Sequence, residues 1–173
     1  MLAPPRVWWR PLHRYEKSWL IVAFAFCIFL TAMMPLWYLM GRQNVPVTTY
    51  QVEPARFAQI TEAFAAQYKV GEVNGIPVVA PPPGADVYMI GRRWVWYPIV
   101  QLQKGQTYRL HVSSLDLQHG FSLQPNNLNL QVMPGYDYVA TVIPTQTGEY
   151  SVICNEFCQI GHHLMTGRII VTD

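Results

Sequence analysis

The chain has 173 residues, of which 51% are hydrophobic and only 13% charged, with a formal net charge of +2. That length leaves room for one domain of ordinary size and a short extension, and excludes a multi-domain enzyme with a large cleft of its own. The hydrophobic balance excludes disorder, the near-neutral charge excludes nucleic-acid binding through a basic surface, and three cysteines are too few to staple a small scaffold.

Residues 1–17 carry Arg6, Arg10, Arg14 and Lys17 against Glu16 and are expected to form a cytoplasmic arm, with His13 solvated. From residue 18 to 41 nothing is charged. At about 1.5 Å per residue this stretch spans roughly 30 Å of hydrocarbon as one transmembrane helix. Pro35 inside it is a candidate kink, and Cys27, Met33, Met34 and Met40 read as packing. A cleaved signal peptide is the competing reading, but Met40-Gly41-Arg42-Gln43 lacks an A-x-A pattern. The basic flank predicts a single pass through the cell membrane, N-terminus cytoplasmic and everything after Gly41 on the outer face. Trp8, Trp9, Tyr15, Trp19, Trp37 and Tyr38 stand where an aromatic belt meets the lipid bilayer.

Residues 42–84 read as a spacer with one short helix, because Pro54 suits a first turn and Phe57, Ile60, Phe64, Ala65 and Tyr68 recur at helical spacing. The helix is expected to pack on the folded domain and to give way at Gly71. Asn74-Gly75-Ile76-Pro77 and Pro81-Pro82-Pro83-Gly84 then predict a stiff extended connection. Residues 85–173 change texture to short alternating segments rich in β-branched and aromatic residues. Strands are predicted at 87–90, 94–100, 107–112, 119–123, 128–132, 138–143, 149–154 and 167–171, with turns at Lys104-Gly105, Pro125-Asn126-Asn127, Pro134-Gly135 and Gln146-Thr147-Gly148. The fold class is therefore mainly β, a small antiparallel sandwich or barrel anchored by one N-terminal helix. A core of that size needs a metal or a partner to be firmly stable.

The segment Cys154-Asn155-Glu156-Phe157-Cys158-Gln159-Ile160-Gly161-His162-His163-Leu164-Met165 puts two thiols, an imidazole and a thioether in one loop. Soft sulfur with imidazole selects copper or zinc, and the thioether favours copper. Three readings stay open on the residues alone. A structural zinc site would use Cys154, Cys158, His162 and a fourth ligand; a disulfide would join the two cysteines; a bridged pair of metal ions would require a second histidine from elsewhere. For that histidine, His119 is preferred, since it opens a strand after a polar turn; His111 alternates with strand residues as a structural histidine, and His163 is expected at the surface.

The run Ser113-Ser114-Leu115-Asp116-Leu117-Gln118-His119-Gly120-Phe121, followed some thirty-five residues on by Cys154-x-Glu156-x-Cys158-x-x-x-His162-x-x-Met165, closely resembles the dinuclear CuA domain of cytochrome c oxidase subunit II. Trp94-Val95-Trp96-Tyr97, Pro134-Gly135 and Gly148-Glu149-Tyr150 also match that family, so the resemblance covers residues 85–173. The short chain, its single membrane helix and Tyr15-Glu16-Lys17-Ser18-Trp19-Leu20 look most like the small subunit II of B-type haem-copper oxidases.

The resemblance implies a cupredoxin Greek-key barrel docked on a membrane-embedded subunit I. It would receive electrons from an external cytochrome c and pass them to haem for oxygen reduction coupled to proton pumping. It further implies that Cys154 and Cys158 bridge two copper ions, that His119 and His162 bind one each, and that Met165 and the backbone carbonyl of Glu156 complete them. In many family members the Glu156 side chain also helps hold magnesium or manganese at the subunit I junction, although small B-type relatives differ there. Trp94 resembles the exposed tryptophan that takes electrons from the donor; Trp96 is the second candidate, with barrel packing as its plainer role. Arg92, Arg93, Lys104, Arg109 and Arg168 stand against Asp86, Asp116, Asp137, Glu149, Glu156 and Asp173, so donor docking is expected to be mostly apolar. The alternatives are the small subunit of a CuA-bearing nitric oxide reductase, a membrane-tethered copper carrier and an assembly subunit. Nitrous oxide reductase lacks the glutamate and belongs to a larger chain.

Overall fold

The computed structural model describes residues 11–41, 47–126 and 128–173. Arg6, Trp8, Trp9 and Arg10 of the basic arm, Arg42 and Gln43 after the apolar stretch, and Asn127 of the predicted turn lie outside the described residues. The chain divides into two compact units, with the division after Gln43.

The first unit holds helix α1, Arg14–Met40. It starts earlier than the apolar stretch because His13, exposed as expected, also serves as its cap. Its backbone N–H donates to Glu16 Oε2 at 2.8 Å and its Nδ1 accepts from the Tyr15 amide at 3.5 Å, satisfying groups that a helix start leaves orphaned. The helix runs on through Pro35. Among the described residues it is the one helix long and apolar enough to cross a membrane.

The second unit is built on twelve strands among the described residues: β1 (Val47–Gln51), β2 (Lys69–Val73), β3 (Ile76–Val79), β4 (Asp86–Arg92), β5 (Val95–Tyr97), β6 (Ile99–Gln103), β7 (Tyr108–Ser114), β8 (His119–Gln124), β9 (Leu128–Val132), β10 (Tyr136–Val142), β11 (Gly148–Ile153) and β12 (Thr166–Thr172), with helix α2 (Pro54–Tyr68) between β1 and β2. They form one sheet in the order β1-β10-β7-β4-β5-β12-β11-β8-β9, with β6 beside β12, β3 beside β6 and β2 beside β3. The mainly β class is as expected, but the pairing is mixed rather than antiparallel. β4 runs parallel to β7, β3 to β6, and β12 to both β5 and β6. Two-residue alternation reports which face of a strand is buried, not which strand lies beside it or in which direction.

Residues 42–84, expected to be a spacer, instead supply three strands to the sheet. β1 adds to the edge of β10, with Tyr50 opposite Asp137. The supposed extended connection is a hairpin: Asn74 and Gly75 take positive φ of 51° and 79°, the pair that a tight turn between β2 and β3 requires. The single strand expected at 94–100 is broken at Pro98, which has no N–H for the ladder, into β5 and β6.

Helix α2 is capped by Glu53, whose Oε2 accepts the Arg56 amide at 2.8 Å, and it buries Phe57, Thr61, Phe64 and Ala65. Phe57 and Phe64 meet the Tyr88 ring of β4 edge-on, at 5.8 and 5.7 Å. Tyr97 of β5 donates to Glu62 Oε2 at 2.6 Å while Arg92 lies over its ring, so the helix is tied to the two strands ahead of the cysteine loop. Burial and that bond to Glu62 push the Tyr97 hydroxyl up to about 12.

His111 stacks on the Tyr88 ring at 4.6 Å and stands between Asp137, 2.8 Å from its Nδ1, and Asp86, 3.3 Å from its Nε2. Arg109 forks onto the same Asp86. Burial disfavours the charged imidazole, but the two carboxylates outweigh it and raise His111 above its ordinary 6.5. A group raised on folding contributes its full stabilisation below the unfolded value and loses it as pH rises through the folded one. We therefore predict that the thermal midpoint falls as pH is raised above about 6.5, and that His111→Asn flattens this alkaline limb. Melting curves between neutral and mildly alkaline pH check it; an equally steep limb in the variant would count against it.

Candidate metal centre

The centre is assembled at one end of β8, β11 and β12. Ile153 of β11 is opposite Thr166 of β12, so the ladder closes directly beneath the loop, and the Cys154 amide donates to the Met165 carbonyl at 3.2 Å. β11 also pairs with β8, whose first residue is His119. The twelve-residue loop is stiffened from within by a 3-10 turn at His162–Leu164, with His162 N to Gln159 O at 3.0 Å and Met165 N to His162 O at 3.1 Å. It lies directly on Gly120, where a Cβ would overlap Asn155 Oδ1 and stand 2.7 Å from the Glu156 amide. Asn155 in turn donates to Asn129 of β9 at 3.1 Å.

All six predicted donors come together. Cys154 Sγ is 3.6 Å from Cys158 Sγ, 4.0 Å from His119 Nδ1 and 3.2 Å from the Glu156 carbonyl oxygen. Cys158 Sγ is 3.7 Å from His162 Nδ1 and 3.8 Å from Met165 Sδ. The two cysteines are free, and their sulfurs are too far apart for a disulfide, which requires about 2 Å. His119, Cys154, Cys158 and Met165 are buried, whereas His162 is half-buried. Among the described residues, His119, Cys154 and Cys158 are the one group of three His, Cys, Asp or Glu with ligand atoms within 4.8 Å of one another.

The electrostatics suit a cation. Burial, with the neighbouring Cys154, pushes Cys158 up to about 12, so at neutral pH Cys158 gives up its proton only when a metal ion takes its place. Two soft sulfurs with two imidazoles, a thioether and a carbonyl form a donor set that copper fits and hard cations do not.

The remaining candidates separate. Trp94, 38% exposed, donates its indole N–H to the Cys158 carbonyl at 3.0 Å, and its ring lies flush on Gly161, where a Cβ would overlap it. Trp96 is fully buried, its ring edge-on to His119 at 6.0 Å and to Phe121 at 5.1 Å. The Glu156 carboxylate receives one long contact, Gln118 Nε2 at 3.4 Å. His163 is exposed. Sequence reasoning misses Asp116, although it stands three residues before His119 within the quoted motif; its Oδ1 is 2.9 Å from His119 Nε2. Burial tends to raise Asp116, but the bonds from His119 and from the Arg93 and Leu117 amides hold it below the usual carboxylate range. A crown of Phe157, Ile160 and Leu164, exposed at 81%, 88% and 68%, rims the loop.

No family model matches the chain. A cytochrome c oxidase subunit 2 of Thermus thermophilus is 27% identical over 163 residues, covering 92% of both chains. A second Thermus thermophilus cytochrome c oxidase subunit 2 is 34% identical over 95 residues, 53% of this chain and 69% of that relative. A chain of a heme-copper terminal oxidase dimer solved by cryo-electron microscopy shares the fold at a TM-score of 0.58 and 21% identity, over 92% of this chain and all of that one.

Because Gly120 is the seat of the cysteine loop, Gly120→Ala should force the loop upward, at about 1–3 kcal/mol for an overpacked contact. The expected result is weaker copper uptake, read from the sulfur-to-copper absorption bands during titration, together with a lower thermal midpoint. A variant matching the parent in both would show that the loop does not rest there.

Proposed function

The chain belongs to the cytochrome c oxidase subunit 2 family, and from that premise we propose how its centre takes in and passes on electrons. It is a membrane protein, the electron-transfer subunit of a haem-copper oxidase with a copper-binding cupredoxin domain. The observation that carries the finer reading is the pairing of donors around the two sulfurs. Cys154 has His119 and the Glu156 carbonyl beside it, and Cys158 has His162 and Met165. Two such sets around one pair of sulfurs favour two copper ions over one, which Cys154 and Cys158 would hold between them. When bound, such a pair supplies a one-electron couple spread over both ions.

The chain's own residues hold the six donors in a nearly dry pocket. Buried sulfurs and a ladder-closed loop leave little to move when the charge changes, which keeps the reorganisation small. Trp94 provides the input route, since one hydrogen bond connects its half-exposed indole to the carbonyl of Cys158. Trp96 has no surface and acts by packing against His119. The donor is a cytochrome c or a similar external carrier, and the crown around Trp94 supports an apolar docking face on the outer side of the membrane. Subunit I receives the electron for oxygen reduction. Hard cations need several oxygen ligands. Among the described residues no such cluster gathers at Glu156, so a magnesium or manganese ion there would depend on ligands from subunit I.

Oxygen uptake driven by reduced cytochrome c, in the complex that co-purifies with this chain from native membranes, tests the reading. Cys158→Ser should abolish it, and uptake at the parental rate in that variant would overturn it. Nitric oxide reduction in place of oxygen uptake would reassign the complex. With apolar docking, raising salt from about 50 to 200 mM should slow electron input less than severalfold; a tenfold fall would replace the apolar face with a charged one.

A further inference from the structure

The two imidazoles of the centre are supported differently. His162 is half-buried, with Cys158 at its Nδ1 and the edge of Phe157 beside its ring, and among the described residues no carboxylate bonds it. His119 is fully buried, so its second nitrogen has no water to turn to, and the one group that meets it is Asp116.

Asp116 is itself fixed on every side. It stands in the turn between β7 and β8, where the Leu117 amide donates to its Oδ1 at 2.7 Å and Ser114 Oγ holds the Leu117 carbonyl. Its Oδ2 accepts the Arg93 amide at 2.9 Å and Arg93 Nε at 3.3 Å. The Leu115 amide donates to the Gly91 carbonyl at 2.9 Å, so the turn is stitched to the end of β4 as well. Arg93 directly precedes Trp94.

We propose that Asp116 is a positioning residue for the copper centre, turning the His119 ring so that Nδ1 faces Cys154 and tying that ring, through Arg93, to the segment that carries Trp94. An ionised carboxylate only accepts, so the proton is on Nε2 and the lone pair is on Nδ1, on the side of the sulfur. An anionic acceptor at the far nitrogen also makes the imidazole a stronger donor, which favours the oxidised state of the metal. One carboxylate thus sets the tautomer, the orientation and the donor strength of one ligand, and leaves the other untouched. The inference rests on the copper reading above.

The test uses the full chain in its oxidase complex, loaded with copper and labelled with 15N-histidine, and compares the parent with Asp116→Asn. Asparagine keeps the shape and an acceptor but loses the charge. Three changes are expected: the reduction potential rises, the magnetic coupling of one histidine nitrogen changes while the other is unmoved, and copper affinity, read by competition with a chelator, falls about 10–100-fold. Arg93→Met, at a half-exposed position, carries the same test if the asparagine variant does not fold. Freed from the guanidinium, Asp116 becomes the stronger acceptor and the potential should move the opposite way. Unchanged potential and unchanged couplings in a fully loaded variant, beside a normal parent, would overturn the proposal alone. A parent that shows no copper-pair spectrum would overturn the copper reading and this proposal with it.

Discussion

Two sulfur atoms 3.6 Å apart in a pocket nearly closed to water set the constraint to which the rest of the second unit answers. Deprotonated together and left alone they would repel at low dielectric; protonated they are poor ligands. A soft cation resolves this when the remaining donors arrive without water between them. The loop closes on a ladder at its base, a glycine lies beneath it, and a backbone carbonyl and a thioether, which bring no charge of their own, stand beside the two sulfurs.

The scaffold divides the labour by depth. His119, Trp96 and Phe121 form a rigid floor inside the sheet, while His162, Trp94 and the apolar crown form a lip at the surface. An indole N–H and one carbonyl join the lip to the residue that carries one of the sulfurs. The floor keeps solvent dipoles away from the same sulfurs. Helix α2 contributes at a distance: by gripping Tyr97 and Arg92 through Glu62, it steadies the strands on either side of Trp94.

Much of the centre was legible in the residues because its chemistry is local. Two cysteines, a histidine and a methionine within one loop declare a soft-metal site, and His119 followed from the need for a second imidazole. Asp116 was not legible in the same way. A carboxylate three residues before a histidine reads as turn chemistry until the turn is seen to bend its side chain back onto the ring. The strands at 87–90 and 128–132 were found from alternation, whereas β1 was missed because four of its five residues are exposed and polarity hides an edge strand. β2 and β3 were missed because prolines at 77 and 81–83 outweighed an Asn-Gly turn that should have announced a hairpin. The parallel pairings were beyond reach, since partner choice depends on contacts far apart in sequence.

The stretch before residue 85 carries a practical consequence for anyone wishing to study the copper domain free of its membrane helix. A truncation at the apparent start of the copper motifs would strip β1 from β10 and β3 from β6, leaving two sheet edges bare, and would remove Phe57 and Phe64 from the face of Tyr88. Exposed edges beside a freshly uncovered aromatic face are the ingredients of aggregation. The soluble fragment worth making therefore begins ahead of Val47 and keeps the whole of what looks, in the bare letters, like a linker.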